Sequence, residues 1–148
     1  MTGGAKYPGW QEDLIQKARE ALDVSYAPYS GFHVGAALLG KSGRIYTGCN
    51  IENAAFSPTN CAERTAVFKA VSEGEQAFEA LAVISDSTDY ISPCGVCLQV
   101  LAEFCPPEFE ILQCRNNGRS RCVRLKELLP ESFGKELRES CADTIHKI

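Results

Sequence analysis

NCAERTAVFKAVSEGEQAFEALAVISDSTDYISPCGVC, residues 60–97, carries most of the architectural information in this chain. Asn60 can cap a helix over residues 61–73, with Ala66, Val67, Ala70 and Val71 on its buried face and Gly74 at its end. Residues 80–85 form a short apolar run that fits a buried strand. Ser92 and Pro93 then suit the N-cap and first position of a second helix, running to about residue 104. The stretch thus reads helix, strand, helix, with cysteines where both helices begin. Cys61 is followed two residues later by Glu63, and Cys94 and Cys97 stand at CxxC spacing. Three soft ligands and one spare acid describe a zinc site whose fourth position is left to water.

Outward from this segment the same alternation continues. Residues 10–26 have helical period, with Leu14, Ala18, Ala21, Leu22 and Ser25 on one face and Glu12 and Asp13 in the first turn. A loop at residues 27–31 precedes a strand over 32–39, a turn at 41–43 and a second strand over 44–50. Gly35-Ala36-Ala37 is small for a strand interior, which fits either a ligand or a helix in close approach. Beyond Pro106-Pro107, strands are expected at 110–114 and 122–125 around a turn at 115–121. Short helices are expected at 126–129 and 134–146. Five strands interleaved with amphipathic helices predict a three-layer α/β/α sandwich on a mixed sheet.

A chain of 148 residues suits one domain over 1–148, with residues 1–9 as a flexible tail. No apolar run is long enough for a bilayer span, and the first residues lack the apolar core of a signal peptide. Eight cysteines without such a leader, three of them in metal-like spacing, imply a reducing, cytoplasmic setting. The net charge of −4 argues against nucleic acid as a partner.

The chemistry follows from residue types. Helix N-termini favour thiolate over thiol. Zinc with three thiolates is anionic, which makes its water less acidic than in a histidine-rich site. Arg64, three residues after Cys61, can share its helix face, donate hydrogen bonds to the sulfurs and drain that charge. Glu63 in the first turn suits general acid–base work, although such a glutamate also serves simply as a dipole partner. A fourth thiolate from Cys49, Cys105, Cys114, Cys122 or Cys141 would close the site, but none stands in paired spacing. His33 and His146 have no motif partner, and no nucleophile elbow or Gly-rich phosphate loop is present.

FHVGAAL at 32–38, CNIENAAF at 49–56, CAER at 61–64, PCGVC at 93–97 and LLPESF at 128–133 together resemble the small homotetrameric cytidine deaminases. The similarity runs over about residues 10–135. It implies zinc-dependent hydrolysis of cytidine and 2′-deoxycytidine to the uridines with release of ammonia, in pyrimidine salvage. It implies one Zn2+ per subunit on Cys61, Cys94 and Cys97, zinc-bound water as nucleophile and Glu63 as proton shuttle. Asn50 and Glu52 would bind the ribose, Phe32 would pack on the pyrimidine, and backbone near Ala62 and Ser92 would read the base edge. Phe133 would reach into a neighbouring subunit's pocket in a homotetramer with shared sites. Two departures stand out: Leu98 where many relatives carry arginine, and Phe56 where many carry tyrosine. The first removes polar interface contacts and the second a hydroxyl.

Three other classes use parts of the same pattern. An editor of cytosine or adenosine in nucleic acid shares the zinc chemistry. A deaminase of a cytosine-bearing antibiotic is a related enzyme, and a zinc-stabilised binding module would leave Glu63 idle. The acidic charge and the NIEN motif speak against the editor.

Overall fold

The structure, a computed structural model, describes residues 6–145, with side chains through residue 141. In chain order the elements are α1 (Trp10–Leu22), β1 (Val34–Gly40), β2 (Ile45–Cys49), α2 (Ala62–Ser72) and β3 (Phe78–Ser85). They continue with α3 (Gly95–Phe104), β4 (Glu110–Cys114), β5 (Ser120–Arg124), α4 (Leu125–Leu128) and α5 (Lys135–Ile145). The strands form one sheet in the order β2-β1-β3-β4-β5. Only the β3–β4 pair is parallel, so the sheet is mixed, as expected from the sequence.

Strand alternation divides the core between two faces. Ala36, Leu38, Leu81, Val83 and Ile111 pack under α2 and α3, against Ala66, Val67, Ala70, Leu98 and Leu101. Ala37, Leu39, Ala80, Ala82, Ile84 and Leu112 face α1 through Leu14 and Ala18. Both central strands β1 and β3 are therefore near-continuous apolar runs, covered above and below. The layers are α1, the sheet, and α2 with α3.

Two glycines let helices lie close on the sheet. A Cβ on Gly35 would sit 2.0 Å from the Ala18 carbonyl oxygen, so the small Gly35-Ala36-Ala37 run serves helix packing. A Cβ on Gly48 would fall 2.3 Å from the Ala62 carbonyl oxygen and 2.5 Å from the Ala66 nitrogen. The first turn of α2 thus rests directly on the backbone of β2.

Several expected boundaries move. The first helix stops at Leu22, and Ser25 turns to His33 Nδ1. Tyr26 then bridges to Ile51, and Ile51 to Asn60, which ties the 50–60 loop beneath the start of α2. Phe32 precedes β1 rather than lying within it. The last strand begins at Ser120, because a tight turn closed by Arg115 N–H on the Arg119 carbonyl (2.7 Å), with Gly118 at φ 90°, needs fewer residues. Within residues 6–9, expected to fray, Pro8 and Gly9 form a turn closed by Trp10 N–H on the Tyr7 carbonyl (3.0 Å), and the Tyr7 hydroxyl donates to Asp13 at 2.9 Å. The rest of that expected tail, residues 1–5, and His146 lie outside the described residues.

Candidate active site

Neither helix begins where capping preference places it. Cys61 is the N-cap of α2 (φ −74°, ψ 155°) and Cys94 that of α3 (φ −67°, ψ 166°), both without a side-chain cap hydrogen bond. Asn60 instead donates its amide to the Thr65 hydroxyl at 3.1 Å, and Ser92 Oγ accepts from Gln113 at 2.7 Å. Cys61 and Cys94 hold the cap positions, which brings the N-terminal ends of both helices to the sulfur cluster. Cys97 lies within the first turn of α3, directly above Cys94.

The three sulfurs converge, all lying within 4.8 Å of one another. Cys61 Sγ is 3.9 Å from Cys94 Sγ, which is 3.6 Å from Cys97 Sγ. A tetrahedron with metal–sulfur bonds of about 2.3 Å has sulfur–sulfur edges of about 3.8 Å. The site therefore already has the dimensions of a zinc tetrahedron with one vertex left over. Among the described residues no other cysteine, histidine or carboxylate joins the cluster. His33 pairs with Ser25, while Cys105 and Cys114 are buried among apolar neighbours.

Charge at the cluster is shared unevenly. The Cys61 thiol is brought down to about 5 by the hydrogen bond from Cys97, with burial opposing and Arg64 assisting. Cys97, as that donor, holds its proton and is pushed upward. A divalent cation would take the place of this shared proton. Arg64 Nη2 donates to Cys61 Sγ at 3.2 Å, and its Nε is buried without a partner. Burial works against the guanidinium charge, yet its interactions with the Cys61 and Cys97 sulfurs raise its pKa above the ordinary value.

Glu63 is 5% exposed and opens into a cleft of about 420 Å³ together with Cys61, Cys94, Ala62, Phe32 and Asn50. Burial, then the negative charge of Cys61, push its carboxyl up to about 7. Asn50 clamps the entry to β1: its Oδ1 accepts from Val34 N–H at 2.8 Å and its Nδ2 donates to the Phe32 carbonyl at 2.7 Å. One amide hydrogen remains for a ligand. Phe32 is 42% exposed on the cleft wall.

Two expected residues stand apart. Glu52 lies in an adjoining cavity with Tyr29, Ser30 and Phe56, where its carboxylate accepts from Tyr29 N–H (2.9 Å), Ser30 N–H (3.0 Å) and the Ser30 hydroxyl. These hydrogen bonds, led by the Ser30 hydroxyl, hold it below the usual carboxylate range. Phe133 lies away from the cleft, 76% exposed, its backbone held by Gln99. Leu98, one of the two expected departures, is buried in the core on the α2–α3 side of the sheet. Phe56 is exposed at φ 60°, in the left-handed region.

Val34, Thr59 and Ile91 also line the cleft, and residue pattern alone did not single them out. Gln113, fully buried in β4, was equally missed, although an amide inside the apolar run Ile111-Leu112-Gln113-Cys114 was a readable signal.

Three converging cysteines and a buried acid at two helix starts on an α/β sheet fit a deaminase-type zinc site. The chain belongs to the cytidine and deoxycytidylate deaminase family, whose zinc-binding region matches residues 8–113. A cytidine deaminase of Sporosarcina psychrophila is 51% identical over 125 residues, 84% of this chain and 92% of that protein. One from Halalkalibacterium halodurans is 47% identical over 83% of this chain and 93% of its own length. The crystal structure of the Burkholderia pseudomallei cytidine deaminase superposes with a TM-score of 0.79 at 42% identity, covering 82% of this chain and 98% of that one. Such deaminases are hydrolases of carbon–nitrogen bonds. No helix among the described residues is long and apolar enough to cross a membrane.

Proposed function

We propose that this protein deaminates cytidine and 2′-deoxycytidine, converting each with one water to the uridine and ammonia, as a step of pyrimidine salvage in the cytoplasm. The observation that carries the reading is Glu63: a buried carboxyl near pKa 7, beside three converging sulfurs and open to a cleft. When bound by Cys61, Cys94 and Cys97, zinc supplies the Lewis acidity that makes water a nucleophile at neutral pH. Glu63 is poised to take a proton and to pass it to the ring nitrogen beside the reacting carbon, then towards the leaving amine. Arg64 offsets the negative charge of the sulfurs.

Phe32 offers its ring to the pyrimidine, and backbone near Ala62 and Ser92 meets the base edge. The spare amide hydrogen of Asn50 reaches for the sugar. Glu52 does so from the neighbouring cavity, at a loop it already anchors. Phe133 is exposed and lies far from its own cleft, which supports a role in a neighbouring subunit's site within a homotetramer.

The test is loss of ultraviolet absorbance from cytidine by the zinc-loaded protein, run beside cytosine, a cytosine-bearing antibiotic and single-stranded DNA. Turnover of the nucleosides alone is expected. Turnover of DNA or the antibiotic alone overturns the substrate class, and no turnover by zinc-loaded protein leaves a binding module. Mixing Phe133→Ala with Glu63→Gln subunits under exchange should restore activity. A mixture that averages its parents would remove the shared site.

A further inference from the structure

Gln113 is the only fully buried amide side chain among the described residues. It lies two positions after Ile111 in β4, so strand alternation turns it to the α2–α3 side, at the end of the strand nearest the cleft. Its two ends are both engaged. Arg121 Nε on the edge strand β5 donates to Gln113 Oε1 at 2.7 Å, and Gln113 Nε2 meets Ser92 Oγ at 2.7 Å. Arg121 is in turn held over the Tyr90 ring at 4.4 Å, with Arg115 over the same ring at 5.1 Å.

The direction of every bond in this chain is forced. A guanidinium has donors and no acceptor, so the Gln113 oxygen must face Arg121. Its NH2 must then face Ser92, and Ser92 Oγ must accept. The Ser92 proton is therefore free to point elsewhere, and no other residue among those described engages that hydroxyl. Ser92 is exposed and lines the cleft with Phe32, Asn50 and Glu63. The hydroxyl is thus presented to the cleft as a donor.

We propose that Arg121 and Gln113 are positioning residues that hold the Ser92 hydroxyl as a hydrogen-bond donor to the base of the bound nucleoside, an inference that rests on the deamination reading above. The partner on the base is an acceptor, the ring carbonyl, since the imine-type ring nitrogen takes the Glu63 proton. The exocyclic amine, a donor, is not matched by it. A base edge offering only donors would leave the hydroxyl proton unpaired, and buried mismatches of that kind discriminate strongly.

Gln113→Glu reverses the device with almost no change of shape. A carboxylate accepts from both Arg121 and Ser92, so the Ser92 proton turns away and a lone pair faces the cleft. The experiment measures cytidine kinetics on the zinc-loaded protein, and cytidine binding to the same variants in a Glu63→Gln background. Gln113→Glu is expected to raise KM and Kd roughly tenfold with a smaller change in kcat. In a Ser92→Ala background the same step should change KM less than twofold, because the hydroxyl it redirects is gone. Arg121→Leu, a change on the exposed strand, frees the amide to flip and should raise KM severalfold only while Ser92 is present. It serves as the second variant where Gln113→Glu lowers Tm or zinc content. Equal effects with and without Ser92, or unchanged KM in both variants, overturn the relay while wild-type turnover stands. Absence of cytidine turnover and binding in the wild type overturns the deamination reading, and the relay with it.

Discussion

At the two ends of α2 stand two carboxylates with opposite surroundings. Glu63, in its first turn, lies against three sulfurs and is pushed up to about 7 by burial and by the charge of Cys61. Glu75, just past its last turn, accepts from Ser42 N–H (2.9 Å), Ser42 Oγ (2.6 Å) and Tyr46 OH (2.9 Å). Burial raises Glu75 too, but these hydrogen bonds and nearby Arg44 outweigh it and leave its pKa below the ordinary value. The same helix therefore keeps one carboxyl ready to hold a proton and the other firmly ionised. What separates them is the number of donors each meets, since desolvation acts on both in the same direction. The Glu75 end ties the β1–β2 turn to the helix, while the Glu63 end leaves hydrogen-bonding capacity open to the cleft.

The largest effect should come from removing the proton-holding end. Glu63→Gln is expected to lower kcat by ~10²–10⁴-fold or more while zinc, assayed by metal analysis, stays bound. Glu75→Gln should leave kcat unchanged. The metal-stripped protein sharpens the contrast. A carboxyl raised in the folded state stabilises the fold below the ordinary carboxyl range and loses that contribution as pH rises through about 7. Glu63→Gln should thus be more stable than wild type at pH 8, by about 1–3 kcal/mol in denaturant titration, with the difference vanishing near pH 4.

Next is the cation at the same end. Arg64→Ala should weaken zinc retention and slow turnover by ~10–100-fold without unfolding the protein, measured by chelator competition and initial rates. Unchanged values in both assays would reduce Arg64 to a packing residue.

Gly48→Ala tests how the Glu63 end is seated. The added methyl would press on the Ala62 carbonyl and the Ala66 nitrogen, so about 1–3 kcal/mol of stability should be lost together with activity. Full activity in this variant would show that the first turn of α2 can lift without disturbing the site.

The smallest effect belongs to the ionised end. Glu75→Gln should cost about 1 kcal/mol or less at pH 7. A carboxyl lowered in the folded state stabilises above its unfolded pKa and stops doing so as pH falls through its folded value. Wild type and variant should therefore converge in Tm on acidification, the reverse of the Glu63 pair.

The order of helices and strands, the mixed α/β class and the candidate set of Cys61, Cys94, Cys97 and Glu63 were legible in the residues alone. These rest on short-range signals: apolar period, breakers such as Gly74 and Pro106-Pro107, and the spacing of CAER and PCGVC. The same signals misplaced two helix starts, since Asn60 and Ser92 are better caps than cysteine by preference. Cysteine holds both positions with no side-chain cap hydrogen bond, while Asn60 and Ser92 are engaged with Thr65 and Gln113. Packing in three dimensions brings Cys61 and Cys94 to 3.9 Å across 33 residues of chain. It also creates the contact of α2 with Gly48, the pairing of Glu52 with the Tyr29–Ser30 loop and the link from Arg121 through Gln113 to Ser92. The elevated pKa of Glu63 belongs to the same group, because desolvation is created by whatever packs around a carboxyl, and those neighbours come from distant parts of the chain.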